Sequence, residues 1–181
     1  NEITPSNEVT ILQQIQLLLK TNQQNLFEQI WTDFKSNHKQ LTFLNQTIIF
    51  YKLLGFAMLP PEGIAPNLTT VFEMYDFAVQ NELLFNNGKL YFPHFITCVA
   101  IACLNKETQW AFSFVEEHGS KISPESVQTE VLKLARVQIY FYLKKYDKVK
   151  TKYSRFQGRY SQEWDYAIFP TRFINAGQLL K

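Results

Sequence analysis

The sequence predicts an all-α protein, an α-solenoid of stacked antiparallel helical hairpins, with about four hairpins and one further C-terminal helix. Three observations carry this. Apolar residues recur at helical spacing along nearly all of the 181 residues, and no segment alternates at period two over a strand's length. Every second helical segment presents the same pattern of positions at nearly even intervals. The helices between them are apolar around most of their circumference, as expected of helices sandwiched between neighbours in a stack.

The elements follow in order. The first helix is expected from a cap at Ser6 in PSNEV through Ile11, Ile15 and Leu18. The second follows TNQQN and carries Leu26, Phe27, Ile30, Trp31 and Phe34. The third covers about Thr42 to Met58 and is stopped by LPPEGIAP, whose prolines lack the N–H and deny the preceding residue a helical conformation. That loop is expected to be exposed. The fourth, about Asn67 to Leu84, ends before the turn NNGK. The fifth opens near Pro93 and the sixth near Glu107. The seventh is expected at ISPESV, with Ser123 as cap and Pro124 at the first helical position. The eighth starts at Asp147. A last segment contains Trp164, Tyr166 and Phe169, and Pro170 opens a final helix.

The repeat rests on positions i, i+1, i+4, i+5 and i+8. These are Leu26, Phe27, Ile30, Trp31 and Phe34 in the second helix, and Val71, Phe72, Tyr75, Asp76 and Val79 in the fourth. In the sixth they are Trp110, Ala111, Phe114, Val115 and His118, and in the eighth Lys148, Val149, Lys152, Tyr153 and Phe156. The starting points are 45, 39 and 38 residues apart, and the longest interval contains PPEGIAP. A simple antiparallel bundle also spaces its helices regularly. The difference in kind between alternate helices favours the stack: FPHFITCVAIACL and LARVQIYFYL are apolar nearly all round.

The segment LARVQIYFYLKKYDKVKTKYSRF resembles the hairpin of a tetratricopeptide repeat, with small Ala135, aromatic Tyr140 near the end of the first helix, Tyr146 opening the turn and Tyr153 in the second helix. FITCVAIACLNKETQWAFSFVEEH resembles a more degenerate unit, with Ala111 where the family places a small residue. Val149 and Phe156 depart from the family pattern, and the spacing exceeds its usual period of about 34 residues. The resemblance covers residues 93 to 157 and only faintly the first 90. It implies a right-handed array in which the first helix of each hairpin lines the concave side. Some members grip a terminal carboxylate with Lys and Asn from successive repeats. Here the fifth helix offers only His94 and Thr97 at comparable places, so that set does not carry over.

Net charge is only +2, which excludes a global basic field of the kind that drives nucleic-acid or membrane-surface binding. Seven cations against one anion lie between Lys144 and Arg159, so the C-terminal third is locally positive. In YFYLKKYDKVKTKYSRF the aromatics Tyr142, Tyr146, Tyr153 and Phe156 follow a helix-packing rhythm with the lysines on the opposite side. A single-strand nucleic-acid site needs aromatics and cations on one exposed face. Cys98 and Cys103 are five apart in an apolar run, which on a helix turns them away from each other, so they read as buried small hydrophobes in a reducing compartment. A cytoplasmic protein is the expectation. The chain begins at Asn1 without Met, as a processed or trimmed chain would. The longest apolar run, Leu90 to Leu104, is too short to span a bilayer and contains Pro93 and His94.

No phosphate-cradling glycine pattern, paired-Cys motif or metal-spaced His pair is present, and no cofactor or catalytic residue is expected. Glu116, Glu117 and His118 are adjacent in sequence but point in different directions on a helix. What remains is a non-catalytic protein-interaction scaffold or adaptor; the alternatives are an RNA-binding helical repeat or a regulatory domain of a larger enzyme. The candidate partner-binding residues are Lys133, Arg136, Tyr140 and Lys144, continuing a polar line from Thr129 along the seventh helix, and they suit an acidic or C-terminal carboxylate peptide. Residues 1–181 read as one domain. The apolar final segment, still carrying Trp164, Phe169, Phe173 and Leu180, implies further repeats beyond Lys181 or self-association through this end.

Overall fold

The computed structural model describes residues 7–60, 63–145 and 148. The expected cap at Ser6, the eighth helix from Asp147 and the final segment with Trp164 and Pro170 lie outside the described residues. The described chain is mostly helical, with α1 Asn7–Thr21, α2 Gln24–Asn37, α3 Phe43–Met58, α4 Leu68–Gln80, α5 Phe92–Leu104, α6 Thr108–His118 and α7 Gln128–Tyr142. Three short strands accompany them: β1 Phe85–Asn86, β2 Lys89–Tyr91 and β3 Ile122–Ser123. The chain divides into two compact units, and the division falls inside α4, between Met74 and Tyr75.

In the first unit α1, α2 and α3 pack on one another. Each presents an apolar stripe at helical spacing. Ile11, Ile15 and Leu18 of α1 are buried, as are Phe27, Ile30, Trp31 and Phe34 of α2 and Ile49, Phe50, Leu53, Leu54 and Phe56 of α3. Phe27 stacks on Phe56 with centroids 5.3 Å apart, Trp31 on Phe34 at 5.9 Å, and the Lys35 ammonium lies 5.3 Å from the Trp31 ring. Thr42 caps α3: its hydroxyl accepts the Asn45 N–H at 3.3 Å, satisfying a backbone donor that the helix cannot. At the other end α3 stops at Met58, ahead of Pro60, as the proline rule requires. Gly63 to Ala65 of the following loop are exposed, and Asn67 then caps α4 through its side-chain oxygen, which accepts from Thr69 and Thr70.

The second unit is built around α5. Phe95, Ile96 and every residue from Cys98 to Cys103 are buried, so this helix has no wet side along its middle. α6 and α7 pack on it and on each other, and β2 and β3 cover its N-terminal end. The strands form one sheet in the order β1-β2-β3, antiparallel between β1 and β2 and parallel between β2 and β3. Phe85 pairs with Leu90 and Leu90 with Ile122, and all three are buried. The hairpin turns through Asn87 and Gly88, both with positive φ, as a two-residue hairpin demands.

This sheet corrects the purely helical expectation. α4 ends at Gln80, short of Leu84, and Ser123 is a strand residue paired with Tyr91 in place of a helix cap. Pro124 leads into a 3₁₀ turn, Glu125–Val127, and α7 begins only at Gln128. Strands of two and three residues are too short to show period-two alternation. The side-chain amide of Gln128 donates to the Gly119 carbonyl at 2.8 Å and ties the start of α7 to the end of α6. Gly119 is buried there, where a Cβ would lie 2.7 Å from Leu132 Cδ2.

The equivalent faces of the sequence repeat are partly displaced. α2 and α6 bury matching positions, Phe27, Ile30, Trp31 and Phe34 against Ala111, Phe114 and Val115 with half-buried His118. α4 instead buries Val71, Met74, Tyr75 and Ala78, a set shifted by one residue that leaves Phe72, Asp76 and Val79 half-buried. Trp110 is half-buried as well, stacked on Phe114 at 5.0 Å, and its indole N–H donates to Asp76 Oδ1 at 2.8 Å. Asp76 therefore interrupts the apolar face of α4 because it is the acceptor for Trp110. Its other oxygen accepts from Gln80 at 2.9 Å.

Three helices end alike. Glu82, Lys106 and Lys144 adopt left-handed φ values of 57°, 67° and 56°, and the next N–H reaches back five residues, Leu83 to Ala78, Glu107 to Ala102 and Lys145 to Tyr140. Glycine is the usual residue at such a position because a Cβ is strained there. Lys106→Gly should therefore raise stability by roughly 0.5–1 kcal/mol, read from the urea midpoint. In the same assay Trp31→Ala should cost about 3–5 kcal/mol by leaving a cavity, and Asp76→Ala about 1–3 kcal/mol by orphaning the indole N–H. A neutral Trp31→Ala would contradict the packing of α2 described above.

Candidate functional site

α7 buries Val131, Leu134, Ala135 and Ile139, which leaves Lys133, Arg136 and Tyr140 along its opposite side at spacings of three and four. α6 runs antiparallel beside it and meets two residues of this line. Arg136 Nη2 donates to Glu116 Oε1 at 3.0 Å, and one turn further along α7 the Tyr140 ring meets the edge of Phe112 at 5.8 Å. Phe112 and Glu116 are one turn apart on α6, so the two pairs match. The Lys148 ammonium lies 5.2 Å from the Tyr140 ring centre, and Lys133 Nζ is 2.8 Å from Glu130 Oε1, one turn back.

Lys144 does not share this line. α7 ends at Tyr142, and Lys144 occupies the left-handed position of the turn that closes it, exposed, with its N–H donating to the Phe141 carbonyl at 2.9 Å. The site is thus Lys133, Arg136 and Tyr140 on α7 with Glu116 and Phe112 on α6, and Lys144 stands beyond its end. Each helical cation already faces a carboxylate. Such exposed pairs contribute about 0–1 kcal/mol, so an incoming carboxylate can replace Glu116 or Glu130 at little cost. The Glu130–Lys133 pair was readable from its spacing. Phe112 and Glu116 were not, since only the packing of α6 on α7 brings them to Arg136 and Tyr140.

The remaining ionisable groups are shaped by burial. His118 lies between the rings of Phe85 and Phe114, 5.4 and 5.1 Å away, with Nε2 3.8 Å from Glu117 Oε2. Burial, helped by the Lys121 charge and opposed by Glu117 and Glu82, holds its imidazole below the usual histidine range. Burial does the same to His94. The expected divergence of Glu116, Glu117 and His118 holds only for Glu116, which goes to Arg136; the Glu117 carboxylate, though exposed, stays beside the His118 ring. Cys98 and Cys103 are free, buried thiols, and desolvation raises both, Cys103 to about 12. Among the described residues no group of three His, Cys, Asp or Glu is placed to hold a metal ion, and no helix is long and apolar enough to cross a membrane.

With this geometry in hand, comparison with protein-family models, curated proteins and solved structures finds no match to the chain.

The two depressed histidines set a pH dependence. Both bind a proton less readily folded than unfolded, where 6.5 is the ordinary value, so the stability they contribute is full above that pH and falls away below it. The urea midpoint of the native chain should drop between pH 7.5 and pH 5.5. In the double variant His94→Gln/His118→Gln that drop should shrink; an unchanged slope would show that neither ring is desolvated.

Proposed function

We propose that the protein is a non-catalytic interaction scaffold, built of tetratricopeptide-like helical hairpins stacked as a solenoid, which takes an acidic peptide segment along α7. The observation that supports this most is the placement of the Arg136 guanidinium. It sits on a helix anchored in the core, oriented by Glu116 across the α6–α7 seam, with the Tyr140 ring one turn away and Lys133 one turn back. An exposed guanidinium flanked by an amphipathic ring and an ammonium can take a carboxylate bidentately while giving the peptide backbone a surface to lie on. Lys144 and Lys148 extend positive charge past the helix end. The Tyr140 ring already holds Phe112 and Lys148, which favours a peptide lying across it over a base stacked upon it.

The test is a fluorescence-anisotropy titration with a labelled oligo-glutamate peptide bearing a free C-terminal carboxylate, and in parallel with oligouridine of matched length. Peptide binding should weaken about tenfold in Lys133→Ala/Arg136→Ala, a loss of roughly 1.4 kcal/mol. Equal affinity of the variant and the native chain would reject the α7 site. Tight, steeply salt-dependent binding of the RNA alone would make the chain an RNA-binding protein instead.

A further inference from the structure

Asparagine followed by glycine occurs once in the sequence, at Asn87-Gly88, and the structure puts the pair at the tip of the β1–β2 hairpin. Both residues are exposed, with φ values of 50° and 72°. The pair matters chemically because an asparagine side-chain carbonyl can close a five-membered ring on the backbone nitrogen of the next residue. Glycine presents that nitrogen with no Cβ beside it to hinder the approach. Other asparagine side chains are held in place. Asn37, Asn81 and Asn105 each donate their amide to a helix carbonyl, at 3.0, 2.8 and 3.1 Å, and the Asn67 oxygen accepts two N–H groups at the start of α4. Among the described residues no such bond ties the Asn87 amide. Asn22 supplies the contrast: it is exposed and left-handed too, with φ 52°, but Gln23 follows it.

We propose that Asn87 is a site of covalent self-modification, with the chain itself and water as the reactants. The Gly88 nitrogen gives up its proton to solvent base and attacks Asn87 Cγ. The C–N bond of the side-chain amide then breaks, and the nitrogen leaves as ammonia after taking a proton back. The succinimide so formed adds one water at either of its carbonyls. Opening at the side-chain carbonyl gives aspartate at residue 87. Opening at the main-chain carbonyl gives isoaspartate, in which the backbone runs through the former side chain and is one carbon longer. No electrons are transferred.

The hairpin sets the pace. Ring closure requires rotation about Asn87 out of the turn conformation, so the hairpin must first fray. Only two residue pairs close it, Phe85 with Leu90 and Asn86 with Lys89, and β1 lies at the edge of the sheet with β2 as its one neighbour. So short a ladder belongs to the low-stability end of a fold. The two products then differ in effect. Asp-Gly suits a two-residue turn as Asn-Gly does, so aspartate leaves the hairpin standing. Isoaspartate lengthens a turn whose length fixes the register, and Asn86 no longer meets Lys89. Phe85, 5.4 Å from the His118 ring and 5.2 Å from the Lys121 ammonium, is released with β1. β2 and β3 pair without using the turn and stay in place. None of this depends on the peptide-binding reading of α7.

Incubation of the full chain at about pH 8 and 37 °C, sampled over weeks and read by peptide mapping with mass spectrometry, tests this. Asn87 should convert several times faster than Asn22, and more slowly at about pH 6, since the attacking nitrogen must lose its proton. In urea Asn87 should convert faster still, because the turn no longer holds it. Hydrogen exchange then separates the two products: the isoaspartate fraction should exchange faster than the native chain over residues 83–91, whereas Asn87→Asp should exchange as the native chain does. Conversion of Asn87 no faster than that of Asn22 overturns the proposal. Equal rates in the folded chain and in urea overturn the control by the hairpin, and unchanged exchange in the isoaspartate fraction overturns the release of β1.

Discussion

The constraint on which the second unit rests is the shape of α5's sequence. A helix that is apolar around its full circumference cannot keep one side in water, so its neighbours must supply cover in every direction. α6 and α7 take two sides of it, and the short sheet closes the end where α5 begins. The small residues Ala100 and Ala102 and the two cysteines let those neighbours approach closely. The antiparallel seam between α6 and α7 is a by-product of this wrapping, and it sets Arg136 opposite Glu116 and Tyr140 opposite Phe112. The candidate site is thus positioned by burial on the far side of the helices that bear it.

The first unit solves its packing differently. Its three helices each contribute one buried stripe among the described residues, with Phe27 of α2 stacked on Phe56 of α3 between two of them and Trp31 on Phe34 within α2. Rings cover much area with few torsions to immobilise, which suits a small three-helix unit with a limited interior.

Helix existence and most boundaries were legible because the signals were local. Thr42 caps α3 and the proline pair after Leu59 ends it, Asn67 caps α4, and a proline sits in the first turn of α5. What was not legible depended on contacts distant in sequence. Asp76 breaks the stripe of α4 for the sake of Trp110, 34 residues away. The strands are too short to alternate, although the Asn87-Gly88 turn does mark the hairpin, and Ile122 becomes a strand only because Leu90 is beside it. The polar line on α7 was extended to Lys144 for a related reason. No glycine or proline marks the end of that helix, since a lysine takes the left-handed closing position. The candidate site was therefore half visible: its residues on α7 could be read from periodicity, and its residues on α6 could not.

The thiols enclosed in α5 give the second unit an internal reporter. Only a thiolate reacts readily with alkylating reagents or disulfides, and burial keeps Cys98 and Cys103 both protonated and out of reach. Modification must wait for α5 to lose its cover. The pace at which a small electrophile labels the folded chain then measures how often α6, α7 or the sheet edge lifts away, rather than any property of the sulfur. Because five residues separate the two cysteines, they sample different flanks of the same helix, and unequal labelling would tell which neighbour departs first.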